Sequence, residues 1–504
     1  MCTQNDFKKL SLFLQTNKDK YLPLNIESLK EVFSMCNDFQ YRKINIGLEG
    51  NIYIHICWLD GLVSGQEIAD NIIKPLTTLL STLNPGTTGA CIDSITKGSV
   101  YSYSLRQRQK LEDIVQDLCH GCCGLIFDDC ETALSFETRS PVSRSISEPT
   151  LEKSLKGARD SFVELLRTNT AMVRKRICSP LLKLSESSIG RKSHTGAAIM
   201  FIEGIADPKI VEQAAERLDS IDVDGLLSMG YLEEALTDNP LSPFPQLIHT
   251  ERPDRFAMYL MDGRVGILVD GLPVGLVLPV SFSEFMKVTS DSNMHFLVSS
   301  CLNMLRYLAL MLSLFLPAFY VAVAMYHQEM IPSRLLLSII EAKHNVPFST
   351  AIEVLSMIIA FALLQEAGLR LPNPIGDTVS IIGALIVGQS AVEAQVVSPI
   401  AIIVVAVSGI ACYTLPSQDM GAAVRLMQLG FLISAILGGL FGIAAAICLM
   451  LLLLSSMDSF GINYTAPLSD GKTFSLFRLL IHIPKLKNKF RDPKLNTADK
   501  RRQK

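Results

Sequence analysis

The chain has 504 residues, 49% of them hydrophobic, and a formal net charge of −3 at pH 7. That near balance excludes nucleic acid as a general partner, and the length calls for two or more domains. Charge is unevenly spread: it runs through the sequence to about Asn293, thins sharply from Phe296 to Met457, and returns in a basic tail from Lys472 to Lys504 whose only acids are Asp492 and Asp499.

The N-terminus has no basic-then-apolar signal sequence, so the soluble half is expected on the cytoplasmic side. Cys2, Cys36, Cys57, Cys91, Cys119, Cys122, Cys123, Cys130 and Cys178 are irregularly spaced and odd in number, which points to reduced thiols rather than a disulfide framework. Helical spacing over residues 6–40 predicts small helices. Ile44, Ile46, Ile52, Ile54, Ile56 and Trp58, around Gly47 and Gly50, predict a β-hairpin. Residues 66–83 return to a helical pattern, 99–104 are strand-like, 105–118 helical, and 124–128 a short buried strand. The sequence therefore starts with an α/β subdomain over residues 1–140, followed by a Ser/Pro-rich linker over 141–150.

A second α/β subdomain is expected over 151–293. It holds a helix at 151–167, a strand at 197–202, a helix at 208–218 with Pro208 in its first turn, and a helix at 222–236. Residues 256–261 and 265–269, flanking Asp262-Gly263, read as a second hairpin. Thr250, Glu251, Arg252 and Asp254 set a hydroxyl and three charges in one loop, either a subunit contact or a salt-bridge set that fixes the loop. Cys119-His-Gly-Cys-Cys123 with Cys130 has a C-x-x-C spacing, but no second pair completes four metal ligands, and ordinary thiols are expected.

Residues 294–457 form the expected transmembrane helical domain of about four to six helices, and 458–504 a basic cytoplasmic tail. A long first span is interrupted by Pro317, and a second covers 350–364. Residues 377–392 barely suffice to cross, and 400–415 follow. Residues 424–457 are one long helix or two short ones hinged at Gly438-Gly439 or Gly442. The fold class is thus an α/β soluble N-terminal half of two small subdomains plus an α-helical transmembrane bundle.

Within this half, Ile382, Ile386, Gln389 and Glu393 recur at helical steps of three and four and share one face. That face either lines a pore, with the isoleucines as a constriction and Glu393 as a charge favouring cations, or packs against neighbouring helices close to Gly383 and Gly388. Glu366 and Arg370 lie four apart in the orientation of a helical ion pair, structural or gating. Glu353 and Arg306 stand near the starts of their spans, within snorkelling reach of the interface. The basic tail can grip anionic lipid.

Several motifs together resemble the A subunits of the GerA-type spore germinant receptors of endospore-forming bacteria and their close relative in the stage V sporulation operon. They are Ser242-Pro-Phe-Pro245, Thr250-Glu-Arg-Pro-Asp254, Gly263-Arg-Val-Gly-Ile-Leu-Val-Asp-Gly271, Glu329-Met-Ile-Pro332, Glu366-Ala-Gly-Leu-Arg-Leu-Pro372, Gly388-Gln-Ser-Ala-Val392, Val397-Ser-Pro399 and Ser459-Phe-Gly461. The resemblance implies a membrane subunit of a nutrient receptor in the spore inner membrane. Its partners would be a transporter-like B subunit, a lipoprotein C subunit and copies of itself, forming a ligand-gated channel for monovalent cations. Alternatives are the sporulation-operon relative, aiding ion or dipicolinate release, and a secondary transporter, which would normally show paired broken helices. Neither H-E-x-x-H nor G-x-x-x-x-G-K-[ST] occurs, so the reading is a non-enzyme with no cofactor and no metal site.

Overall fold

The computed structural model describes residues 23–46, 52–83, 87–100, 104–139, 149, 152, 157–370, 388–466, 480, 481, 484 and 489–502. The chain divides into two compact units, one of Met1–Thr237, Leu247–Val280 and Lys485–Lys504, the other of Asp238–Gln246 and Ser281–Pro484.

Among the described residues the first element of this unit is helix α1 (Ile26–Val32), whose N-cap Asn25 accepts from the Ser28 N–H at 2.8 Å. Strands β1 (Phe39–Ile46) and β2 (Ile52–Leu59) make the expected hairpin. Helices α2 (Lys74–Leu83) and α3 (Thr88–Ser94) follow, then β3 (Leu105–Arg108), α4 (Leu111–Cys119), β4 (Cys122–Phe127) and β5 (Ala133–Glu137). The stretch 105–118 is thus split, a short strand preceding the helix. All ladders are antiparallel, in the order β1-β2-β4-β5-β3. The period-2 alternation of strand side chains puts Ile54, Ile56, Leu125, Leu134 and Phe136 into one core with Ile68, Ile72 and Leu76. Cys57, Leu59 and Ile126 enter another with Leu29, Ile114 and Leu118. Both faces of β4 are therefore covered, which is why it reads as a continuous apolar run.

Helix α5 (Leu166–Arg176) leads into the second sheet: β6 (Leu182–Ile189), β7 (Thr195–Ile202), α6 (Pro208–Asp219), α7 (Met229–Leu236), β8 (Ile248–Thr250), α8 (Pro253–Met261), β9 (Val265–Val269) and β10 (Gly275–Leu278). Its order is β6-β7-β9-β10-β8, again antiparallel throughout. Hairpin, two helices, strand, helix, hairpin: the two subdomains repeat one topology.

Three expectations are corrected here. The helix expected at 151–167 is absent from residues 157–165 and begins only at Leu166. Residues 256–261 are helical, not a strand. Pro253 and Asp254 favour a helix start, Phe256, Ala257 and Leu260 bury one helical face, and Gly263 takes φ +100 just past the C-cap. Residues 222–228 are not helical either, since the Val223 and Asp224 carbonyls accept from the N–H groups of Arg191 and Lys192.

A short segment also joins the two sheets. The Asn37 N–H donates to the Leu184 carbonyl at 3.0 Å, and the Leu184 N–H to that of Met35 at 3.1 Å, so residues 35–37 pair with the outer edge of β6. Asp38 then meets Arg174 in a two-pronged pair at 2.8 and 2.9 Å, with both side chains almost wholly buried.

The second unit is helical: α9 (Phe296–Tyr326), α10 (Ser333–Lys343), α11 (Thr350–Arg370), α12 (Pro399–Tyr413) and α13 (Gln418–Ser455). Among the described residues three segments are long and apolar enough to cross a membrane, Phe296–Tyr326, Thr350–Ala367 and Gln418–Ser455, and α12 is a shorter apolar helix. Val321, Ala351, Val354, Val397, Ala401, Val405 and Leu432 form their common core. Helix α13 is broken at Gly438-Gly439, where Gly439 has φ 54 and ψ −137, a conformation open to glycine. The Ile436 carbonyl beside the break accepts from the Tyr326 hydroxyl at 2.5 Å.

Candidate functional site

Of the pore-face residues, Ile382 and Ile386 lie outside the described residues. Gln389 and Glu393 occupy a helical turn over 388–393, where the Gln389 amide donates to Glu393 Oε1 at 2.9 Å. Both are exposed in the single chain. The turn ends at Gln395, whose φ of 55 is left-handed, and leads through Val397 to Ser398, the N-cap of α12. Glu366 is exposed on α11, and Arg370 is that helix's last residue.

Glu353 does not snorkel. In the first turn of α11 its side chain is fully enclosed, and Oε2 accepts from the Ser398 main-chain N–H at 3.2 Å and the Ser398 hydroxyl at 2.8 Å. Oε1 faces Lys343 Nζ at 3.4 Å, and that ammonium also bonds the Thr350 hydroxyl. The buried Tyr320 hydroxyl stands beside Ser398 and Glu353. Sequence reading named Glu353 but missed Lys343, Ser398 and Tyr320. The available signal was Ser398-Pro399, an N-cap followed by a first-turn proline. Arg306 is likewise paired, its guanidinium holding Asp291 at 2.5 and 2.8 Å, with Asp291 buried.

In the first unit, the loop after β8 is tied internally. The Thr250 hydroxyl donates to Glu152 Oε2 at 2.7 Å, and the Arg252 N–H returns to Thr250 Oγ1 at 3.2 Å. Arg252, itself buried, forks onto Asp254 at 2.7 and 3.0 Å. The Glu251 carbonyl accepts from the Phe162 N–H and the Ser161 hydroxyl, and Arg255 bonds Glu152. The Thr250 hydroxyl, the Glu251 carbonyl and Arg255 thus hold Glu152, Ser161 and Phe162, while the Arg252–Asp254 pair is internal to the loop.

The cysteines of the C-x-x-C stretch are buried in this unit, and burial pushes the Cys119 thiol up to about 12. Burial does the same to Cys57. Such groups stay protonated at neutral pH, and a protonated thiol is a poor nucleophile and metal ligand.

The Bacillus/Clostridium GerA spore germination protein family model matches residues 27–494. Spore germination protein KA of Bacillus subtilis (strain 168) is 34% identical, the alignment covering 96% of this chain and 88% of that one. Spore germination protein B1 of the same strain is 32% identical over 96% of this chain and 99% of its own length. Among solved structures, the N-terminal domain of the A subunit of the Bacillus megaterium spore germinant receptor GerK3 matches at 30% identity and a TM-score of 0.41, covering 52% of this chain and 99% of that one. The chain therefore belongs to the Bacillus/Clostridium GerA family of spore germination proteins.

Proposed function

We propose that this chain is an A-type subunit of a nutrient germinant receptor in the spore inner membrane. It assembles with transporter-like B and lipoprotein C subunits and with copies of itself around a path for monovalent cations. The observation that carries this reading is the Gln389–Glu393 pair: an acid and an amide, exposed in the single chain, within the charge-poor half of the sequence. Uncovered polar groups in hydrocarbon cost several kcal/mol each, so they call for water or other subunits. A ring of copies supplies both, and a ring of carboxylates favours cations. In this reading both soluble regions face the spore core, and nutrient binding at a partner shifts the ring between closed and open populations.

The test is potassium release from spores after nutrient addition, in strains carrying Ile382→Ala with Ile386→Ala, or Glu393→Gln. The isoleucine pair is expected to raise nutrient-independent leakage and Glu393→Gln to slow release several-fold, at unchanged protein level. Leakage and germination rates equal to the parent in all variants would remove this face from the ion path.

A further inference from the structure

Glu353 is unusual in this unit because one carboxylate joins three helices. It belongs to α11, it faces Lys343 at the end of α10, and it receives both hydrogen-bond donors of Ser398 at the start of α12. Ser398 is also the residue to which the Gln389–Glu393 turn leads, three positions beyond its end at Gln395, and its hydroxyl caps α12 by accepting from the Ala401 N–H at 3.4 Å. Whatever holds Ser398 therefore fixes both the axis of α12 and the exit of that turn.

An enclosed carboxylate must be paired or neutralised, and its bonds to an N–H and a hydroxyl are roughly twice as strong when it is ionised. Lys343 supplies the compensating charge. Because the ammonium meets Oε1 at 3.4 Å while Oε2 carries both Ser398 bonds, charge compensation and clamping sit on different oxygens of one group. Without Lys343 the enclosed carboxylate loses its counter-charge, and the hold on Ser398 weakens.

We propose that Glu353 is a positioning residue, clamping the exit of the Gln389–Glu393 turn, and that Lys343 sets the strength of the clamp. A displacement of α10 thereby reaches the turn through this side chain, beside the direct packing of α10 on α12. This inference rests on reading that turn as part of the ion path, and the experiment separates the two.

The full chain, purified in detergent, is compared with Glu353→Ala, Glu353→Gln, Lys343→Met and Ser398→Ala by amide hydrogen exchange, and each variant is scored for potassium leakage in spores at matched abundance. Exchange at the Ser398 amide is expected to rise about fivefold or more in Glu353→Ala. Glu353→Gln, which keeps an acceptor, and Lys343→Met should rise less and to similar extents. Nutrient-independent leakage should follow the same order. A residue that only stabilises the fold would lower abundance and leave leakage unmoved. Unchanged exchange over residues 394–401 in Glu353→Ala would overturn the clamp, whatever the leakage. Raised exchange without altered leakage would overturn the gating role, and Glu393→Gln, which leaves Ser398 and Glu353 intact, then reports whether the ion path itself has failed. If Glu353→Ala does not accumulate, Ser398→Ala and Lys343→Met carry the same two readouts.

Discussion

At the scale of single residues, the soluble unit spends its most deeply buried charges on fastening one subdomain to the other. Arg174 and Asp38 are 1% and 4% exposed at the side chain, and the guanidinium also donates to the Leu182 carbonyl at 2.8 Å. Replacing both partners of such a pair with apolar groups is often neutral, whereas removing one strands a buried charge. Arg174→Met should therefore cost about 3–5 kcal/mol, and Asp38→Leu added to it should recover much of that loss. Denaturant unfolding of the purified chain and both variants checks the asymmetry. Nothing in the sequence marked this pair. Arg174 stands within the basic run Arg174-Lys-Arg176, and only the packing of α5 on β7, β9 and α8 buries this member of it.

At the scale of elements, local signals worked where they agreed and failed where they competed. Pro208 at the start of α6 set that helix correctly, with Asp207 accepting from the Lys209 N–H at 3.0 Å. At 253–263 a helix start and an Asp-Gly turn signal overlapped, and the helix won because it alone buries Phe256 against the sheet. That burial explains Gly266 within the Gly263–Gly271 motif and Gly275 just beyond it. A Cβ at Gly266 would stand 2.1 Å from Phe256 Cζ and one at Gly275 2.7 Å from its Cδ2, so these glycines let the ring lie flat on β9 and β10. Gly266→Ala should destabilise by about 1–3 kcal/mol through overpacking, seen as a lower thermal midpoint, and Phe256→Leu combined with it should restore part of the loss. The membrane elements were legible as apolar runs, and the break in α13 fell at one of the two positions its glycines offered. Pairing inside the bundle was less legible: Glu353 and Lys343 are ten residues apart, Glu353 and Ser398 forty-five, and no period connects them.

At the scale of the whole molecule, the division into an α/β half and a helical half could be read from charge density alone. The repeated sheet topology could not, because the equivalent strands share only a pattern: Ile52-Tyr-Ile-His-Ile-Cys-Trp-Leu59 in β2 and Thr195-Gly-Ala-Ala-Ile-Met-Phe-Ile202 in β7 have few residue types in common. The candidate site was legible in part: the sequence marked Gln389, Glu393 and Glu353, but which groups meet Glu353 depends on how the helices pack. The proposed ring makes a prediction at this scale. Detergent-solubilised protein should have a protein mass of several chains by light scattering, and a strictly monomeric mass would remove the proposed shared path.

The interrupted helix α13 bears on what kind of lipid this protein can live in. As one straight rod, its 38 residues would reach about 57 Å, nearly twice the roughly 30 Å of a hydrocarbon core, and would have to lean steeply or stretch the surrounding leaflets. Divided at Gly438-Gly439, its first arm, 418–437, is about 30 Å long. The second arm is then free to take its own angle, with the Ile436 carbonyl covered by Tyr326 rather than left bare in acyl chains. Two glycines and one phenol thereby relieve a thickness mismatch that would otherwise fall on the lipid.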